Sequence, residues 1–306
     1  SKLLRPNISL ITSIGTSHIG NFNNDNEIAL AKAEIFHKTQ KDGIIILPKN
    51  SPKYKLLLNE AKKTKIKNIY TFGNGKNDDA RIIEFKFLEN HFDVSAMILG
   101  EKIDLKLNGH LIHNIYNAIS SLLITKLLGF KIKYCREIIQ NLNLQPGRGK
   151  TIKFFTKFGG QGTLIDDCYN SSFESMSSSI ISLKNISKNR PVLVLGDILE
   201  LGKFSSYHHE SLIPFIEKIN PRIIISIGKE MKKILNKIKT DCEKISFENS
   251  LNASSNIMSF LKDNDYVLVK GSNGMNLKII VEKLVNYIPK EIQKNLNSSQ
   301  VNHNAI

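Results

Sequence analysis

The stretch VLVLGDILELG, residues 192–202, shows the pattern that decides the fold class: an apolar run passes directly into a loop of small and polar residues. The same transition occurs three more times in the second half, in TLIDDCYNSS (163–172), IIISIGKE (223–230) and YVLVKGSNG (266–274). A stretch with helical periodicity follows each loop. Mostly apolar strands that alternate with helices are typical of a parallel sheet covered on both faces. The sequence therefore predicts an α/β protein.

Polar side chains follow these apolar runs at the points where the strands are predicted to end. Ligands of open α/β sheets bind at the carboxyl ends of the strands. Carboxylates, an amide and an amine at that edge indicate a site for a polar substrate. Asp and Ser at such places can equally cap helices. The residues concerned are Asp166, Asp167, Asn170, Asp197, Glu200, Lys270 and Ser272.

The first half alternates strands and helices in the same way. Strands are predicted at 8–14, 43–47, 68–72, 81–87, 92–99 and 103–107, and helices at 26–38, 53–64, 114–128 and 134–141. The segment NLNLQPGRG combines Asn, Pro and Gly, which predicts a turn-rich hinge at the domain boundary. We therefore predict one domain over 1–145, a second over 146–287 and a disordered tail over 288–306.

The composition excludes several classes of protein. The chain has 306 residues, of which 41% are hydrophobic and 23% charged, as in ordinary globular proteins. No apolar run is long enough to insert into a membrane. The net charge of +15 comes from lysines scattered through every segment, without a nucleic-acid-binding signature, so we interpret it as a solvated surface. Three widely spaced cysteines favour reduced thiols and a cytoplasmic location.

The segment QPGRGKTIKFF, residues 145–155, contains Gly-Lys-Thr but is not a P-loop. A P-loop requires Gly where the chain has Leu144, and it opens a helix, whereas a β-like run follows here. A similar segment, GNGK at 73–76, continues with Asn77 instead of Ser or Thr. Neither segment is therefore predicted to cradle phosphates.

Six stretches together resemble motifs of the Mur ligase family, in the order and approximate spacing of that family, over residues 6–286. Among the family, they are most similar to the members that add D-Ala-D-Ala. The stretches are ITSIGTSHIGNF (11–22), LAKAEIF (30–36), HNIYNAISS (113–121), LIDDCYNSSFESM (164–176), VLGDILELG (194–202) and VLVKGSNG (267–274).

The resemblance implies a partial central ATPase domain followed by a Rossmann-like C-terminal domain with a mostly parallel sheet. It implies an ATP-dependent amide ligase that adds D-Ala-D-Ala to UDP-N-acetylmuramoyl-tripeptide through an acyl phosphate, with Mg²⁺, in peptidoglycan precursor synthesis. The enzyme is expected to be a cytoplasmic monomer that neither binds nucleic acid nor inserts into a membrane.

The resemblance also implies roles for individual residues. His18 matches a Mg²⁺ ligand, and Lys32 matches a lysine that is carbamylated and orients a second Mg²⁺. Asn114 and Asn117 match residues near the adenine. Arg148 matches the hinge arginine that contacts the nucleotide, which explains the Gly-Arg-Gly of the hinge without a P-loop.

The remaining matched residues lie in the second domain. Asp167 matches a carboxylate that accepts hydrogen bonds from the ribose. The residues expected to meet the peptide or D-Ala-D-Ala are Tyr169, Asn170, Asp197, Glu200, Lys270 and Ser272. Asn273 replaces a family arginine, so a fixed cationic group is expected to be missing from this face.

The resemblance places a UDP-sugar-binding domain and a T-G-T-x-G-K-T loop ahead of Ser1. We therefore expect the 306-residue chain alone to be inactive. Two alternatives remain open: a non-catalytic or split remnant that needs a separately encoded N-terminal partner, and another member of the superfamily, such as a folylpolyglutamate-type ligase.

Overall fold

A computed structural model describes residues 5–88, 91–187 and 189–289. The chain divides into two compact units, one of residues 1–143 with 200–202 and the other of residues 144–199 with 203–306. Within the described residues, no helix has both the length and the apolar character needed to cross a membrane.

The sheet of the first unit contains six strands in the order of the chain. The first four strands are parallel, and the last two add as antiparallel hairpins. The strands are β1 (Ile8–Leu10), β2 (Ile44–Pro48), β3 (Asn68–Gly73), β4 (Ala80–Leu88), β5 (His91–Ile98) and β6 (Glu101–Asn108).

The helices of the first unit follow from apolar spacing and from their caps. They are α1 (Asp25–Ala33), α2 (Tyr54–Lys62), α3 (His113–Leu127) and α4 (Ile132–Gln140). The Asn24 side chain accepts the N–H groups of Asn26 and Glu27 and so fixes the start of α1. In α3, the spacing of Ile115, Ile119 and Leu122 forms one buried stripe within the core cluster of the sheet.

The sheet of the second unit has the strand order β11-β10-β9-β12-β8-β7. Strands β8 to β12 are parallel to their neighbours, and β7 at the edge is antiparallel to β8. The strands are β7 (Lys150–Phe155), β8 (Gln161–Asp167), β9 (Val192–Gly196), β10 (Ile223–Ile227), β11 (Glu243–Phe247) and β12 (Tyr266–Lys270). Because β12 inserts between β8 and β9, the carboxyl ends of these three strands are neighbours.

Helices connect the strands of the second unit. They are α5 (Phe173–Ile186), α6 (Ser205–Glu210), α7 (Ile213–Ile219), α8 (Lys229–Leu235), α9 (Ser250–Asn256) and α10 (Lys278–Val285). A reciprocal pair of hydrogen bonds between Ser172 and Ser175 caps the start of α5. All five residues of both β9 and β10 are buried, which explains why these strands read as continuous apolar runs.

The structure confirms the α/β class and the mostly parallel sheet. It differs from the sequence prediction at β1, which ends at Leu10, since only the Ile11 N–H, bonded to the Ile46 carbonyl, continues the ladder. The predicted helix over 26–38 ends at Ala33, and a short 3-10 turn follows it. The edge strand β11 was not predicted, because its charged and half-exposed residues lack an apolar run. Residues 290–306 of the predicted tail lie outside the described residues.

Candidate active site

A buried ion pair lies at the carboxyl ends of β8 and β12. Lys270 and Asp167 are register partners on the two strands, and the Lys270 Nζ lies 2.7 Å from the Asp167 Oδ2. The side chains are only 2% and 8% exposed. From α5, the Ser179 hydroxyl donates to the same carboxylate oxygen at 2.7 Å. A buried charge pair of this kind is tolerated only when its remaining polar groups are also bonded.

The same ammonium group fixes the loop that follows β8. Lys270 donates a hydrogen bond to the backbone carbonyl of Asn170 at 3.2 Å. The side chains of Tyr169 and Asn170 are exposed, whereas Ser171 and Ser172 just after them are buried. The buried pair therefore supports a loop that presents an aromatic ring and an amide to solvent.

The hinge segment is bonded to the end of β8 on the other side. The Asp166 carboxylate accepts the Gly147 N–H at 2.7 Å, and the Asp166 carbonyl accepts the Gly149 N–H at 2.7 Å. The Gly147 carbonyl in turn accepts the Tyr169 N–H at 3.0 Å. As a result, the guanidinium carbon of Arg148 lies 4.0 Å from the centre of the Tyr169 ring, in a cation–π contact.

Gly147 is required for this arrangement. Its φ is 76°, in the left-handed region that favours glycine. A Cβ at this position would lie 3.0 Å from both the Cβ and the backbone nitrogen of Tyr169. Only a residue without a side chain allows the hinge to approach the loop after β8 so closely.

The loop after β9 is held by its own aspartate. The two carboxylate oxygens of Asp197 accept the N–H groups of Glu230 and Met231, at 3.2 and 2.7 Å, at the start of α8. Asp197 is buried. Its carboxylate thus caps a helix, as the sequence left open, and a direct contact with substrate stays a prediction.

Ser272 and His209 hold the next two backbone N–H groups of this loop. The Ser272 hydroxyl oxygen accepts the Leu199 N–H at 2.8 Å, and the His209 Nε2 accepts the Ile198 N–H at 3.0 Å. Sequence reasoning missed His209. No spacing within SSYHHE distinguishes it, because the contact depends on how α6 packs beneath the loop.

Of the predicted residues that group with the first unit, His18 and Glu200 are brought together in a contact between Nδ1 and Oε2, and Lys32 lies on another element. His18 is exposed and adopts the left-handed conformation, with φ of 64°, just before a 3-10 turn. Lys32 lies in the last turn of α1 and donates to the Ser13 carbonyl at 3.2 Å. Glu200, in the short segment that groups with this unit, also has a positive φ, of 61°.

Asn114 and Asn117 lie one turn apart at the start of α3. Asn117 is exposed. The Nδ2 of Asn114 is buried and has no hydrogen-bond partner within the described part of the chain. A buried amide donor without a partner is costly, so this atom is suited to a ligand that supplies an acceptor.

The titratable groups near the second-unit rim argue against a thiol nucleophile. Burial raises the pKa of the Cys168 thiol far above its usual value, and a hydrogen bond to Asp166 contributes in the same direction. The thiolate is the nucleophilic form of cysteine. Cys168 therefore remains a neutral, buried thiol at physiological pH.

Mg²⁺ binds oxygen ligands, chiefly carboxylates, water and phosphates. Over residues 5–88, 91–187 and 189–289, no group of three or more His, Cys, Asp or Glu side chains could hold a metal ion. Lys32 in its unmodified form is a cation and cannot serve as an oxygen ligand. The described residues therefore contain no site built from three or more such side chains, whereas Mg²⁺ that accompanies substrate phosphates and water needs only one or two protein ligands.

The rim formed by the ends of β8, β9 and β12 combines loops held by hydrogen bonds with exposed polar and apolar groups. Backbone N–H groups are fixed by buried acceptors, and a buried ammonium supports the exposed loop after β8. This rim, which we call the ligand rim, consists of residues 168–172, 197–199 and 271–274. Such an arrangement can bind a small polar ligand at the edge of the sheet.

Comparison with known families defines the class of this chain. Residues 1–125 match the model of the Mur ligase middle domain, and residues 154–273 match that of the Mur ligase, glutamate ligase domain. Both matched ranges follow the order found in the two units, and together they span most of the sequence. The chain belongs to the Mur ligase family.

Two relatives that are similar over most of this chain have the same name. The chain is 30% identical over 281 residues to the UDP-N-acetylmuramoyl-tripeptide–D-alanyl-D-alanine ligase of Rickettsia prowazekii, covering 92% of this chain and 62% of the relative. It is 30% identical over 292 residues to the ligase of the same name from Buchnera aphidicola, covering 93% and 60%. The chain thus spans about three-fifths of the length of these relatives.

Solved structures share the fold. MurF from Acinetobacter baumannii superposes with a TM-score of 0.80 at 23% identity, covering 92% of this chain and 60% of that one. MurF ligase from Thermotoga maritima, in complex with ADP, superposes with a TM-score of 0.78 at 20% identity, covering 92% and 62%. The two units therefore have the fold of the corresponding part of these ligases.

Proposed function

We propose that this chain is the part of an ATP-dependent ligase that adds D-Ala-D-Ala to UDP-N-acetylmuramoyl-tripeptide. The observation that carries the proposal is the ligand rim. Three motifs that are distant in sequence, LIDDCYN, GDILELG and VKGSNG, run from the carboxyl ends of the neighbouring strands β8, β9 and β12 into the loops that follow them. Relatives that carry this activity in their names match the chain along both units.

The reaction needs two substrates to meet after activation. The γ-phosphoryl group of ATP passes to the terminal carboxylate of the tripeptide, which yields an acyl phosphate and ADP. The amine of the dipeptide attacks the acyl carbon, and the tetrahedral intermediate expels inorganic phosphate to leave the new amide. The amine loses a proton in this step. Water must be excluded from the acyl phosphate, since hydrolysis would waste it.

The ligand rim is suited to the dipeptide. Tyr169 and Asn170 are exposed and offer an aromatic face, an amide donor and an amide acceptor. Asp167, Lys270 and Ser272 lie beneath them and are engaged in internal bonds. We therefore assign Tyr169 and Asn170 to direct contact, and we assign Asp197, Lys270 and Ser272 to holding the loops. Glu200 remains a proposed contact to the peptide.

The nucleotide contacts are proposed from the residues themselves. Arg148 is exposed, stacked on Tyr169 and held in a fixed hinge, so its remaining N–H groups can reach phosphate or ribose oxygens. The buried, unpartnered Nδ2 of Asn114 is suited to an acceptor on the purine edge, and Asn117 lies one turn away. Asp167 remains the proposed acceptor for the ribose hydroxyls.

His18 and Lys32 remain the proposed metal-associated and catalytic residues. When bound, Mg²⁺ would neutralise charge on the transferring phosphoryl group. His18 can offer a ring nitrogen, and Lys32 would have to be carbamylated before it could offer oxygen atoms. We also propose a cytoplasmic monomer with the two domains predicted above. A separately encoded N-terminal partner remains an alternative proposal.

The test is a ligation assay with the protein expressed from its complete gene. The protein is incubated with ATP, Mg²⁺, UDP-N-acetylmuramoyl-tripeptide and D-Ala-D-Ala, and the products are measured by mass spectrometry. A parallel reaction contains tetrahydrofolate and L-glutamate in place of the last two substrates. We expect the pentapeptide product only. Glutamylated folate as the product would favour a folylpolyglutamate-type ligase, and no product from either mixture would favour a non-catalytic remnant.

A further inference from the structure

His209 makes two hydrogen bonds that fix its tautomer. It lies in α6 and is fully buried. Its Nδ1 lies 2.8 Å from the Ser205 carbonyl oxygen, which can only accept, so Nδ1 carries the proton. Its Nε2 lies 3.0 Å from the Ile198 backbone nitrogen, whose N–H can only donate. The ring is thus a neutral imidazole with its acceptor directed at the loop after β9.

The hydrogen bond between His209 and Ile198 lies between two other bonds that hold the same loop. On one side of Ile198, the Asp197 side chain is bonded to the start of α8, and on the other side, the Leu199 N–H is bonded to Ser272. Ile198 is itself buried, so water cannot replace its acceptor. Without the Nε2 lone pair, a buried N–H in the middle of the loop would have no partner.

We propose that His209 is a positioning residue that sets the conformation of residues 197–199 for binding of the dipeptide. Because its ring is buried, we place it behind the surface that meets the substrate, and it acts through the Ile198 N–H. Leu199 follows Ile198 directly, and its side chain is half-exposed on the ligand rim. The position of this side chain therefore depends on the bond between His209 and Ile198. This inference rests on the proposed function of the ligand rim.

Three substitutions distinguish the effect of the Nε2 acceptor of His209 from the effect of a buried ring as such. His209→Gln keeps an acceptor where Nε2 lies, because the two side chains reach the same distance from the backbone. His209→Asn is polar but too short to place one there. The neighbouring His208→Phe is the matched control. His208 is also buried, but its Nδ1 has no partner in the described chain and its ring packs on Phe173 and Tyr207.

The first readout is steady-state ligation by the complete protein. We expect His209→Asn to raise the KM for D-Ala-D-Ala by about tenfold or more, since a buried donor loses the acceptor that His209 supplies. The KM for ATP should change by less than about twofold. His209→Gln should restore most of the dipeptide KM, and His208→Phe should leave both constants unchanged. An unchanged dipeptide KM in His209→Asn, or equal changes in both constants, would overturn the proposal.

The second readout is nuclear magnetic resonance of the complete protein, which needs no activity. Ring ¹⁵N shifts should show a protonated Nδ1 and an unprotonated Nε2, and the Ile198 amide should exchange about tenfold faster in His209→Asn. If the complete protein ligates nothing, the proposed function fails, and these signals alone decide the positioning role. A protonated Nε2, or exchange that His209→Asn leaves unchanged, would overturn it.

Discussion

The Nζ of Lys270 lies 2.7 Å from the Oδ2 of Asp167 across the pair β12 and β8, and both side chains are almost fully buried. This relationship connects the sheet core to the ligand rim, because the same ammonium supports the Asn170 carbonyl and the same carboxylate accepts from Ser179. Each charge in the pair is compensated by the other.

Removal of one partner should therefore be costly. Lys270→Met leaves Asp167 buried without its counter-ion, and we expect the free energy of unfolding to fall by about 3–5 kcal/mol. Urea denaturation followed by circular dichroism measures this. The control is Lys278→Met, which breaks an exposed pair with Glu282 and should change stability by less than about 1 kcal/mol. Similar losses in both variants would contradict a special role for the buried pair.

A second prediction concerns the hinge glycine. Gly147→Ala should lower the free energy of unfolding more than Gly159→Ala, by about 1–2 kcal/mol. Both residues have a positive φ, but a Cβ at 147 meets Tyr169 at 3.0 Å, whereas a Cβ at 159 meets nothing within 4 Å. Because both substitutions strain the backbone in the same way, the difference between them measures the close approach of the new Cβ to Tyr169. Equal losses in thermal unfolding would show that the hinge is not held against this loop.

Arg148 should contribute to nucleotide affinity through its planar group. We expect Arg148→Ala to weaken ADP binding by about tenfold, and Arg148→Lys to restore little, since lysine lacks the planar group that stacks on Tyr169. Calorimetric titration of ADP measures the effect. Lys157→Ala removes another exposed cation from an aromatic face, that of Phe158, and should have no effect. Full recovery by Arg148→Lys would mean that charge alone is sufficient.

His110 should make the protein less stable in acid. Burial lowers the pKa of His110 from 6.5 to about 4, and its two ring nitrogens have no partner among the described residues. The unfolded chain therefore binds a proton below pH 6.5 that the folded chain does not take up until pH 4. Stability is fully present above pH 6.5 and falls by about 3 kcal/mol as the pH falls to 4.

The measurement is chemical denaturation at several pH values between 7 and 4. His110→Phe keeps an aromatic ring against Phe87, 5.0 Å away in the native protein, but cannot be protonated. Its stability should fall less steeply with acid than that of the unmodified chain. If the free energy of unfolding falls equally steeply with pH in the two proteins, protonation of His110 is not the cause of the loss of stability in acid.

The sequence predicted the parts of the molecule that depend on local pattern. Strands β9, β10 and β12 were recognisable because buried parallel strands are mostly apolar, and the polar residues that follow them were predicted to lie at one edge of the sheet. The pairing of Lys270 with Asp167 was not predictable, since it depends on β12 inserting between β8 and β9. His209 was missed for a different reason: its partner lies eleven residues away, and the contact depends on how α6 packs against the loop after β9.

The most direct test of the central claim is to locate the dipeptide on the protein. A D-Ala-D-Ala analogue with a photoreactive diazirine is irradiated with the complete protein in the presence of ADP, and labelled peptides are identified by mass spectrometry. The account predicts labels within residues 168–172, 197–199 and 271–274, which excess D-Ala-D-Ala suppresses and L-Ala-L-Ala does not. Labels confined to other segments, or labelling that D-Ala-D-Ala does not suppress, would contradict it.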